Sequence, residues 1–173
     1  MKKTLLLALC AVLALCGCSS KSESSSKNES SSGSEIVESS QSASVDADLE
    51  ELGTIVTSSG EWPSMYIPDD DEFTDYFGVS KNDEMFSQIY GSFCPMSAIL
   101  TEVILVVPNA GSEQQVQDFL DGRKELLIEK YAYYPSDKEL AENAIIGNVG
   151  GVYYLLCAQS AEQAQAALEE ALS

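Results

Sequence analysis

Fourteen serines crowd the 26 residues from 19 to 44, and this stretch most constrains what the chain can fold into. The remainder of the stretch is mostly Lys21, Glu23, Lys27, Glu29, Glu35 and Glu38, with few apolar side chains. Such a segment cannot bury enough surface to offset the roughly 1–2 kcal/mol per residue that ordering costs. It is expected to be a flexible tether, and a coil of its length spans on the order of 25–30 Å. Any packed core must come from residues 45–173, a single domain of a size that supports one.

Before the tether come Met1-Lys2-Lys3, an apolar run from Leu5 to Leu15, and Gly17-Cys18. Charge, apolar run and small residue are the parts of a secretory signal peptide. Leu15-Cys16-Gly17-Cys18 resembles the lipobox of bacterial lipoproteins, in which the cysteine sulfur receives a diacylglyceryl group before the leader is cut off. Eleven residues rise only about 16 Å as a helix, short of the roughly 30 Å hydrocarbon core. Residues 1–17 are therefore expected to be a cleaved leader carrying Cys10 and Cys16 away, and residues 18–44 the lipidated Cys18 with its tether. Two acyl chains give stable anchoring where one gives marginal binding, so the chain is expected on the outer face of the cell membrane.

The domain carries 24 Asp and Glu against Lys81, Arg123, Lys124, Lys130 and Lys138. A field of this sign repels nucleic acid and anionic lipid and favours cations or cationic partners, so no nucleic acid is expected as a partner.

Helical spacing of Leu49, Leu52, Ile55 and Val56 predicts a first helix over 46–56, capped by Asp46 or Asp48. A loop over 60–68 carries Trp62, Met65 and Tyr66. Pro68 and the acids Asp69–Glu72 open a short helix with Phe73, Tyr76 and Phe77, stopped by Gly78. Residues 85–93 and the run Thr101–Val107 read as strands, the second apolar enough to be central in its sheet. Ser112 with Gln115 forms a capping box for a long helix whose stripe holds Val116, Phe119, Leu120, Leu127, Tyr131 and Tyr134, and Pro135 ends it. Ser136 and Glu139 cap one further turn. Residues 143–148 and 152–158 read as strands flanking a Gly150-Gly151 hairpin, and Ser160 with Gln163 caps a last helix. The fold class is α+β: one or two short helices, then an antiparallel four-stranded sheet in β-β-α-β-β-α order with helices packed on it.

The pattern Thr101-Glu102-Val103-Ile104, Arg123, Tyr134-Pro135, Leu140 with Asn143-Ala144-Ile145-Ile146, and Gly151-Val152-Tyr153-Tyr154-Leu155-Leu156 resembles the domain of unknown function 4358 family. That resemblance implies a small, serine-tethered lipoprotein of clostridial-type Gram-positive bacteria with an α+β domain. It brings no activity, cofactor or catalytic residue. The Asp69–Glu72 run and Cys94-Pro95 fall outside the pattern.

Absences narrow the chemistry. The chain has no histidine, which excludes Ser-His-Asp and Cys-His nucleophile pairs and His-bearing zinc sites. Cys94 and Cys157 stand without a CxxC, and Cys157 falls mid-strand among apolar neighbours, where a thiol is a small core residue. They are expected to be free thiols. No phosphate-binding loop occurs, because the glycines at 147–151 sit between strands. No cofactor is expected. Asp69, Asp70, Asp71, Glu72 and Asp75 form a candidate cation site, set against the plainer reading that they complement the positive end of their helix. Tyr131, Tyr133, Tyr134, Trp62 and Tyr66 form a candidate aromatic platform, although the stripe leaves Tyr133 the more exposed.

Arg123 falls on the apolar stripe of the long helix. It must either reach the rim, beside Glu129 or water, or meet a carboxylate, because an unpaired buried charge costs several kcal/mol. Glu102, opening the central strand, is the carboxylate expected to pair with it. The functional expectation is a lipid-anchored extracytoplasmic protein that binds an envelope partner or small ligand without catalysis. The alternatives are a small envelope hydrolase with paired carboxylates and an acidic cation-binding lipoprotein.

Overall fold

The computed structural model describes residues 47–173, so the expected leader, Cys18 and the tether lie outside the described residues. Helix α1 (Leu49–Thr57) starts at Asp48, whose carboxylate accepts from the backbone N–H groups of Glu50 and Glu51 at 3.0 and 3.1 Å. Helix α2 (Asp70–Phe77) starts at Asp69 with a reciprocal capping box to Glu72 and ends at Gly78 in the left-handed region. Strands β1 (Phe86–Phe93) and β2 (Glu102–Pro108) follow, then α3 (Glu113–Leu126), which runs into a wider π turn over Leu127–Tyr131. Helix α4 (Pro135–Glu142), strands β3 (Ile145–Val149) and β4 (Val152–Cys157), and helix α5 (Ala161–Ala171) complete the order.

The four strands form one antiparallel sheet in the order β1-β2-β4-β3, the α+β architecture read from the sequence. Strand β2 is central and buried along nearly its whole length, as its continuous apolar run requires. Its alternation divides the core: Ile104 and Val106 pack with Phe73, Phe77, Leu120 and Leu127, while Val103, Leu105 and Val107 pack with Leu52, Val56 and Leu168. Helices thus cover both faces of the sheet, α2, α3 and α4 on one and α1 with α5 on the other. Each such side chain contributes about 1.5–3 kcal/mol by leaving water.

Two glycine positions are demanded by geometry. Gly150 and Gly151 take φ of 57° and 83°, the pair of positive angles that a two-residue hairpin between β3 and β4 needs. At Gly91 a Cβ would lie 2.7 Å from ring atoms of Phe77, so only hydrogen there lets α2 close on β1.

Several local expectations are corrected. Ser112 and Ser160 make no side-chain cap, because both sit outside the extended conformation that aims a hydroxyl at the first turn. Ser160 instead clasps the α1–α2 loop: its Oγ accepts from Glu61 N at 3.0 Å and donates to Glu61 O at 3.1 Å. Pro135 opens α4 at its first position, where its missing N–H costs nothing, and Ser136 is not the cap. Tyr134 is exposed and off the core stripe, because the helix leaves its phase in the π turn and stops at Tyr131.

Candidate functional site

The first charged site is sealed inside the fold. Glu102, the first residue of β2, and Arg123, in the last turn of α3, are both buried, at 0 % and 2 % exposure. Arg123 Nε donates to Glu102 Oε1 at 2.8 Å and Nη2 to Oε2 at 2.7 Å, a two-pronged match of planar groups. Nη1 donates to the Tyr76 carbonyl at 2.9 Å, tying α2 to the same guanidinium. Rings of Tyr76, Phe77 and Tyr131 surround it, with centroids 4.6, 5.1 and 4.9 Å from Cζ. The π turn, closed by Ala132 N to Leu127 O at 2.9 Å, brings Tyr131 into that box. Burial works against the Arg123 cation, and the bonds and charge of Glu102 outweigh it, holding its pKa above the ordinary guanidinium value. With no open face, this pair fixes α2, α3 and β2 together and offers nothing to a ligand.

Cys157 lies opposite Glu102 in the sheet register. Burial, then the negative charge of Glu102, pushes its thiol up to about 12, so it is no nucleophile at neutral pH. Cys94 and Cys157 are both buried free thiols.

The acidic run is engaged in holding its own helix. Asp69 and Glu72 form the capping box, Asp70 pairs with Lys81 at 3.0 Å, and Glu72 also accepts from the Tyr66 hydroxyl. Among the described residues no three His, Cys, Asp or Glu side chains gather to hold a metal ion. The aromatic platform is divided as well: Tyr133 and Tyr134 are exposed, while Tyr131 is drawn into the box around Arg123.

A cleft of about 340 Å³ opens at the end of the sheet where β2 begins and β4 finishes. Four segments meet there: Glu61-Trp62-Pro63, a loop with Ala98, Ile99 and Thr101, helix α4, and Ala158-Gln159. The rim is braced by the Ser160 clasp and by Trp62 Nε1, which donates to Ser59 O at 2.8 Å. Trp62, Pro63, Ile99 and Leu140 supply apolar wall, and Asp137 supplies a carboxylate that is only 3 % exposed. Among the described residues, Asp137 Oδ2 is buried without a hydrogen-bond partner. Sequence reading did not single out Asp137. The signal was its spacing: Asp137, Leu140 and Ala141 recur on one helical face, so an acid sits on an apolar stripe, as Arg123 does on its own.

The family model described as Domain of unknown function (DUF4358) matches residues 58–158, a span that includes Trp62, Glu102, Arg123 and Asp137. No curated protein and no solved structure matches the chain.

Proposed function

The chain belongs to the DUF4358 family, and from its cleft and its leader we propose a non-enzymatic binding module of the bacterial envelope. A diacylglyceryl group on Cys18 holds it to the outer face of the cell membrane, and the tether lets the domain reach a ligand or partner there. The observation that carries the reading is the cleft itself, in which apolar walls from two loops and α4 converge on one buried acid. Concave sites of this make-up, mostly apolar with a few placed polar groups, are where small ligands bind.

Trp62 is the single tryptophan of the chain and lines the cleft, so its emission reports occupancy directly. Titrating the purified full chain with the small-molecule fraction of a Gram-positive envelope is expected to shift that emission saturably. An unchanged emission across the titration counts against the reading.

One observation favours a hydrolase as the second reading: Glu61 lines the same cleft as Asp137. Acid catalysis by a pair requires both carboxylates, so Glu61→Gln and Asp137→Asn would each abolish turnover. The binding reading expects Asp137→Asn to lower affinity and Glu61→Gln, at the exposed rim, to leave it nearly unchanged.

A further inference from the structure

We infer that the cleft recognises an organic ammonium, with Asp137 as its counter-ion and Trp62, Ile99 and Leu140 holding a small apolar body; this rests on the cleft being the binding site.

The domain treats its buried charges in two ways. Glu102 and Arg123 satisfy one another and the Tyr76 carbonyl, whereas Asp137, equally withdrawn from water, leaves Oδ2 without a partner among the described residues. A buried carboxylate without a partner is costly, and the cost is relieved when a cation arrives. The neighbouring lysines are turned elsewhere. Lys138 Nζ lies 3.9 Å from Glu142, and Lys124 Nζ donates to Ala144 O at 2.7 Å. Asp137 sits in the first turn of α4, and the cleft lies against that turn. A carboxyl left unpaired beside a cleft is the group there that a positively charged ligand would meet.

The walls decide which cation. A hard divalent ion needs several oxygen ligands, and among the described residues no three acids converge on it. Trp62 lines the cleft, and an indole attracts ammonium groups and apolar carbon alike. The volume, about 340 Å³, lies at the small end of the roughly 300–1,000 Å³ range of ligand sites. Glu61 on the rim and a net charge of −19 draw cations in and turn carboxylates away.

The test titrates the full chain with three probes of one shape, phenethylammonium, phenethyl alcohol and hydrocinnamate, and with calcium ion, following Trp62 emission and heat. Phenethylammonium is expected to bind about tenfold or more tightly than the alcohol, the scale of a charge-assisted hydrogen bond. Hydrocinnamate should bind more weakly than either. Asp137→Asn should bring ammonium and alcohol to equal affinity. Should that variant fail to fold, the comparison of the three probes on the parent chain decides alone. Alcohol binding as tightly as ammonium, or calcium binding more tightly, would overturn ammonium recognition while leaving the cleft a binding site. No response to any probe would overturn both.

Discussion

Arg123 and Glu102 meet through two parallel hydrogen bonds of 2.8 and 2.7 Å, with neither side chain open to water. Removing one member leaves the other charged and buried, so Arg123→Leu should destabilise the domain by about 3–5 kcal/mol. The double variant Arg123→Leu with Glu102→Leu should regain much of that loss. Urea denaturation of the three chains measures both effects, and an unchanged midpoint in Arg123→Leu would contradict the first.

Capping separates residues that look alike in the sequence. Asp69→Ala removes a side-chain cap from α2 and should cost about 0.5–2 kcal/mol. Ser112→Ala removes no cap bond and should stay within about 0.5 kcal/mol. Ser160→Ala breaks the clasp on Glu61 and should cost about 1 kcal/mol. Equal losses at Ser112 and Asp69, read from thermal unfolding, would contradict the assignment.

Gly91→Ala places a methyl against the Phe73 and Phe77 rings, both deep in the core. Overpacking of this kind costs about 1–3 kcal/mol. A chemical denaturation series reads it, and a neutral result would show that α2 yields to the added carbon.

The Cys157 thiol is pushed up from 9.0 to about 12, burial being the main cause. The unfolded chain therefore loses this proton first, and stability contributed here falls as pH rises from the ordinary thiol value towards about 12. At mildly alkaline pH the folded chain should resist alkylation at Cys157, and the unfolded chain should react. Mass spectrometry after a pulse of iodoacetamide distinguishes the two.

Cys18→Ala should abolish palmitate labelling and leave the chain uncleaved or released from the membrane. Labelling equal to the parent would contradict the proposed anchor.

Strand β2 and the β-β-α-β-β-α order were legible because a continuous apolar run and glycine punctuation are local signals. So was the demand Arg123 makes for a carboxylate, since a guanidinium on an apolar stripe poses the question wherever it occurs. Asp137 poses the same question more quietly. An acid in a first helical turn is ordinary on a solvated face, and Asp137 shares its cleft with segments distant in sequence that only the fold brings beside it. The π turn is equally silent: one extra residue per turn changes which tyrosine faces the core, and Leu127 to Tyr131 carry no composition that announces it.

The most direct measurement is a crystal structure of the full chain grown with phenethylammonium. The amine is expected in the cleft, its nitrogen roughly 2.7–2.9 Å from a carboxylate oxygen of Asp137 and its ring beside Trp62. An empty cleft, or the amine seated elsewhere with Asp137 still unpartnered, would contradict it.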